Sequence, residues 1–477
     1  MLHIGPVLPE ILLLVTACAV LLAELFLHAR RRSLLYWLSQ AGLAAAGALA
    51  LLVGRFNGVV MHGMFMADRL TRVLEAFVCL LTLVVFAYSR DYIAERGLFK
   101  GEYFVLGLLA VIGMFVMVSA ANLIALYLGL ELMSLGLYAM VAFQRDSIPA
   151  SEAAMKYFIL GALASGLLLY GLSMLYGATG SLEISRVAQA LPALAPGDMV
   201  ATLGLVFVVA GLAFKLGAVP FHMWIPDVYE GAPTSVTLFV GAAPKIAAFA
   251  LFLRLLVAGL HGLAGAWQDM LILLSVLSMS VGNIVAIAQT NTKRMLAYST
   301  IAHMGFLLLG ILSAGPAGYA AAMFYAIVYT LMALGGFGTV ILMSRHGFEA
   351  DRIEDLKGLH KRSPWFAFMM LLFMFSMAGI PPTIGFYAKL AVIQAAVGAG
   401  LYGLAVAAVL FSVIGAFYYL RIIKLMYFEA PVERAPLRAA RDLRWILSLN
   451  GLAMVVLAPW VGALIALCRA ALAGFGG

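Results

Sequence analysis

Apolar residues fall in blocks of about twenty along almost the whole chain, separated by short polar stretches rich in Arg, Lys, Gly and Pro. A helix crossing the hydrocarbon of a bilayer needs about 20 such residues. The pattern predicts spans near 7–27, 34–54, 73–89, 103–119, 123–143, 155–176, 200–219, 234–256, 269–289, 295–313, 317–343, 365–397, 401–427 and 443–468. The fold class is therefore an all-α integral membrane protein with about 14 transmembrane helices. No basic stretch precedes the first block and no small-residue cleavage pattern closes it, so it reads as a retained helix rather than a signal peptide.

Composition sharpens this. Of 477 residues, 65% are apolar and 11% are charged, and the mean hydropathy is +1.05. Soluble domains hold roughly 45–50% apolar and about 25% charged residues. A soluble enzyme, a disordered chain and a nucleic-acid binder are excluded. Cys18, Cys79 and Cys468 lie far apart with no CxxC, which excludes thiolate ligation of zinc or an iron–sulfur centre. No Gly-rich phosphate loop is present, so no nucleotide site is expected.

The basic residues sort by side. Twenty of the 30 Lys and Arg lie on loops and helix ends of one face, with Lys293 and Arg294 counted among these orienting charges. Arg55, Arg69, Arg72, Arg186 and Arg469 lie on the other face. The positive-inside rule puts the first face in the cytoplasm and both termini outside. The five that remain are Lys156, Lys215, Lys245, Arg254 and Lys389, within or at the edge of spans.

A charge at the bilayer centre costs about 2.5–3.5 kcal/mol on insertion scales, so such residues are functional candidates by default. Glu131, Lys215, Lys245 and Lys389 lie near mid-span on four different helices. Glu131 with Lys215 is either a structural ion pair or part of a proton path. For Lys245 and Lys389 no further central acid is at hand, and a desolvated lysine without a carboxylate exchanges its proton more readily than a solvated one. Lys156 and Arg254 lie within about two turns of a span end, where a snorkelling or structural role competes. His303 is the one histidine inside a late span, and is read either as a core residue or as a relay position.

Two spans carry helix breakers: FKLGAVPFHMWIPDVYEGAPT (214–234) with Pro220, and AGIPPTIGFYAKL (378–390) with Pro381 and Pro382. In lipid the backbone groups freed at such breaks must find internal partners or line a hydrated cavity. The spacing also suggests two successive five-helix units, each with its breaker-rich helix fourth, and an odd helix count inverts the second unit relative to the first. The organisation expected is 1–102 as a three-helix segment, 103–256 and 257–427 as the two units, and 428–477 as a loop and last helix.

FKLGAVPFHMWIPDVYEGAPT, the intramembrane Glu131, Lys245, KRMLAYSTIAHMGF (293–306) and GIPPTIGFYAKL together resemble the antiporter-like proton-pumping subunits of respiratory complex I, a family that includes Mrp-type cation/proton antiporter subunits. The length leaves no room for the long C-terminal lateral helix of the L-type member, and Lys389 stands where the M-type member has a glutamate. The resemblance implies that Glu131 tunes Lys215, the loaded carrier of an input half-channel. Lys245 then passes protons along the axis and Lys389 releases them outward, with Lys156 and His303 as supporting positions. It also implies a translocase subunit in a bacterial inner membrane with no cofactor on this chain. FMN, iron–sulfur clusters and quinone belong to other subunits, and the partners are membrane-arm subunits, the NADH-oxidising peripheral arm and lipid. A cation/proton antiporter or hydrogenase-linked role on the same scaffold, and a passive membrane spacer, remain open alternatives.

Overall fold

The computed structural model describes residues 4–27, 32–52, 56–195, 197–345, 347–431, 437 and 439–475. Arg30, Arg31, Arg55, Arg434 and Arg438 of the orientation count lie outside them. Helices dominate. A three-helix segment opens the chain: α1 (Leu8–Phe26), α2 (Ser33–Leu52) and α3 (Arg69–Glu95). Between α2 and α3 lies a short antiparallel hairpin of β1 (Gly58–Val60) and β2 (Phe65–Ala67), which helical periodicity did not foresee.

Next come α4 (Gly101–Ser119), α5 (Leu123–Val141), α6 (Ile148–Thr179), the short α7 (Ile184–Ala190) and α8 (Met199–Leu216). A turn leads to α9 (Trp224–Gly231), and α10 (Thr234–Val240), α11 (Ala243–Phe252) and a π-helical turn Leu253–Gly259 complete one apolar run. The second part holds α12 (Ala264–Ile287), α13 (Thr292–Leu312), α14 (Gly315–Met343), the single turn α15 (Leu359–Arg362), α16 (Pro364–Ala378), α17 (Ile384–Gly398) and α18 (Tyr402–Phe428). The chain closes with α19 (Arg441–Val456) and α20 (Val461–Ala471), which meet at 51°.

Among the described residues twelve helical runs are long and apolar enough to cross a membrane, thirteen if the bent α19–α20 pair is one span. The span expected at 365–397 is instead two short apolar helices, α16 and α17, parted at Pro381–Pro382. This is a multi-pass membrane protein. The run Thr234–Gly259 is wholly buried and α13 and α14 nearly so, whereas α1, α6 and α18 turn most of their surface outward. Small residues permit the tightest packing, as is usual where lipid supplies no hydrophobic drive. A Cβ on Gly113 of α4 would stand 2.3 Å from the Met133 nitrogen of α5.

Candidate functional site: a buried lysine axis

α5 carries Glu131, Ser134 and Tyr138 at i, i+3 and i+7, one stripe of a helix. Ser165 of α6 donates to Glu131 Oε1. From α8, Lys215 Nζ donates to Ser134 Oγ at 2.8 Å and to Tyr138 OH at 3.4 Å. Among the described residues no ion pair within 4.0 Å joins Glu131 to Lys215; they share a stripe of hydroxyls instead of a direct contact. Of the two readings offered by sequence, the direct ion pair is not the geometry seen, because the lysine reaches α5 one turn beyond the glutamate.

The two breaks are built alike. α8 ends at Leu216, followed by Gly217 with φ +84°, and α16 ends at Ala378, followed by Gly379 with φ +83°. Glycine occupies this left-handed backbone without the steric cost of a Cβ. A buried lysine from a later helix caps each final carbonyl. Lys245 Nζ donates to Leu216 O at 2.9 Å, and Lys389 Nζ to Ala378 O at 3.1 Å. Each ammonium also lies over an aromatic ring, Lys245 over Trp224 at 5.4 Å and Lys389 over Phe306 at 5.0 Å. Lys389 further donates to Ser412 Oγ of α18 at 2.9 Å. Other freed groups are met locally: Ser278 Oγ accepts from Val219 N, and Phe214 O accepts from Trp224 Nε1, both at 2.9 Å. Lys215, Lys245 and Lys389 are 8%, 1% and 7% exposed.

Between the two breaks, His303 of α13 sits among tyrosines. Its Nδ1 is 2.6 Å from Tyr325 OH and its Nε2 is 3.1 Å from Tyr419 OH. Tyr329 OH donates to Thr300 Oγ1 at 2.8 Å. The sequence reading missed these hydroxyls, although Tyr325 and Tyr329 sit one turn apart on α14.

Lys156 stands apart from this axis. Its side chain is 43% exposed and its Nζ lies 2.8 Å from both Glu152 and Asp227. Arg294 NH1 closes the network with Asp227 and Glu230, each at 2.8 Å. Burial works to raise the Asp227 carboxyl, but hydrogen bonds and charge from Lys156 and Arg294 outweigh it and hold the group below the usual carboxylate range. Arg254 is structural: it pairs with Asp68 at 2.7 Å and donates to Val118 O and Thr71 Oγ1. Burial likewise pushes the Asp68 carboxyl up, and the Arg254 charge and hydrogen bonds more than reverse it.

Lys293 departs from its reading as an orienting charge. It is 3% exposed and its Nζ donates to Ala232 O at 2.9 Å. Its polar flank, TKR, hides this from hydropathy, because burial comes from tertiary packing. Glu10 and Glu75 are two further buried acids missed near span ends. Among the described residues no group of three or more His, Cys, Asp or Glu is arranged to hold a metal ion.

A family model described as NADH:quinone oxidoreductase/Mrp antiporter, transmembrane region, matches residues 120–415, which contain both breaks and the whole lysine axis. NADH-quinone oxidoreductase subunit N of Thioalkalivibrio sulfidiphilus is 57% identical over 469 residues, 98% of each chain. The chain belongs to the NADH-quinone oxidoreductase subunit N family. A chain of respiratory complex I from Thermus thermophilus matches the subunit N fold seen here with TM-score 0.83 and 32% identity, covering 97% of this chain and 99% of that one. A chain of the Mrp complex from Dietzia sp. shares the fold, with TM-score 0.84 over 99% and 97% of the two chains, at 22% identity.

Proposed function

We infer that this chain is a proton-translocating membrane subunit of an NADH:quinone oxidoreductase, in which electron transfer on other subunits drives protons along a relay of the half-buried Glu131 and three buried lysines. The observation that carries the reading is the pair of breaks whose terminal carbonyls are capped by Lys245 and Lys389 inside an apolar body. Glu131 and Lys215 form the input, Lys245 and His303 the middle, and Lys389 the output. Lys156 acts from the rim, through its pair with Asp227. FMN, iron–sulfur clusters and the quinone belong to other subunits, and the partners are the neighbouring membrane-arm subunits and, through them, the peripheral arm.

Fourteen spans follow if α16–α17 and α19–α20 each count as one, and the matching breaks support two inverted five-helix units at 103–256 and 257–427. The excess of Lys and Arg on one face supports a bacterial inner-membrane setting with both termini on the periplasmic side.

The energetics are of the right order. Moving one charge against the membrane potential costs about 2.3 kcal/mol per 100 mV. One pKa unit is about 1.4 kcal/mol. Displacing Glu131 relative to the Ser134–Lys215 contact therefore needs to change the lysine's proton affinity by only about two units to drive a step. Lys215→Met in the assembled complex tests the reading. The expected result is a lower proton-to-electron ratio with assembly retained, and a wild-type ratio would overturn it.

A further inference from the structure

A cavity of about 840 Å³ opens on the face that carries the excess of basic residues, lined by Glu230, Asn291, Asp351, Arg352, Lys357 and Arg421 among others. Its floor is the start of α13, where Asn291 Nδ2 donates to Asp351 Oδ2 at 2.9 Å and Thr292 N donates to Asp351 O at 2.5 Å. Lys293, two residues along α13 from the lining Asn291, is buried in the field of Glu349, Asp351, Glu230 and Arg96. Glu349 is itself held by Tyr92, Thr234 and Arg96.

Among the described residues, Thr292 Oγ1, Tyr229 OH and Ser235 Oγ are buried without a well-formed hydrogen bond, Tyr229 OH lying near Thr300 and Ser235 Oγ near Tyr103. Buried hydroxyls in that state take water. Lys293, Thr300 and His303 follow at i, i+7 and i+10, a single stripe of α13. Tyr329 and Tyr325 of α14 close on that stripe at Thr300 and His303. The rise from Lys293 to His303 is about 15 Å at 1.5 Å per residue.

We propose that Lys293 is a second proton-uptake residue, which takes protons from the 840 Å³ vestibule and feeds His303 and Lys389 independently of Lys215. A proton from vestibule water adds to the neutral Lys293 amine. The ammonium returns it to water held by the neighbouring hydroxyls, and it moves along Thr300 and Tyr329 to the imidazole. The inference rests on the translocase reading above and adds a parallel input to it.

The test uses the assembled oxidoreductase in sealed vesicles, comparing Lys293→Arg, Lys293→Met, Lys215→Met and the double variant Lys215→Met/Lys293→Arg. Arginine keeps the charge and the stem but does not release a proton, so it separates titration from a structural charge even where the methionine variant fails to assemble. The expected result is that Lys293→Arg and Lys215→Met each remove part of the proton yield and the double variant removes more than either. A wild-type ratio in Lys293→Arg, with a double variant no worse than Lys215→Met, overturns the second input and leaves the relay standing. A wild-type ratio in Lys215→Met sinks the relay reading itself.

Discussion

Replacing Lys245 by methionine removes a charge while keeping an unbranched apolar side chain of similar length. The ammonium's hydrogen bond to Leu216 O is a charge-assisted contact of about 1.5–3 kcal/mol, and the carbonyl left without a partner costs about 1–3 kcal/mol more. Loss of the contact with the Trp224 ring at 5.4 Å adds about 2 kcal/mol for a desolvated pair. Against this, an ammonium that is 1% exposed carries a desolvation penalty of several kcal/mol, which the substitution lifts. The two sides cancel to within about 3 kcal/mol. Thermal unfolding of the solubilised complex should therefore shift little, while proton yield per electron falls sharply. A collapse of assembly in Lys245→Met would refute the balance and make Lys245 a structural clamp on the break.

Asp68→Ala, by contrast, should cost about 3–5 kcal/mol because it strands the buried Arg254, and a further ~1 kcal/mol for the lost cap on Thr71 N. Asp68→Asn keeps the cap and should fall short of that loss in the same melts. Gly379→Ala places a Cβ 2.9 Å from Lys389 Cδ at φ +83°, so about 1–2 kcal/mol of backbone strain and a displaced lysine should lower proton yield more than electron transfer. The Asp227 network has a defined pH window. Its carboxyl lies lower in the folded chain than the ordinary value near 4, so its contribution is complete above about pH 4 and is lost only as pH falls through the lower folded value. Stability measured from pH 8 to 5 should thus be unchanged by Asp227→Asn in its slope; a difference in slope across that range would contradict the assignment. His303→Phe should slow proton transfer without dissociating α13 from α14, read as a lower proton-to-electron ratio at normal subunit content.

Much of this was legible in the sequence because lipid imposes a strict rule: apolar blocks become helices, and whatever breaks or charges them stands out. Glu131, Lys215, Lys245, Lys389 and both proline breaks stand out that way. What the lysines touch was not legible. Leu216 O and Ala378 O are backbone atoms, and their pairing with residues 29 and 11 positions away is a matter of tertiary contact. The tyrosines around His303 are brought to the imidazole only where α13, α14 and α18 converge. Lys293 was masked by its polar neighbours, since burial depends on which helix covers the site. The bend of 51° between α19 and α20 falls at Leu457, two residues before Pro459, inside a block that hydropathy reads as continuous.

The central claim is that titration of buried groups on this chain, rather than its bulk, moves protons. The direct measurement is the proton-to-electron ratio of vesicles carrying the complex with Lys215→Met, set beside its NADH–quinone electron transfer and subunit content. An assembled complex with a reduced ratio is expected, whereas an assembled complex pumping at the wild-type ratio would contradict proton transfer through these groups.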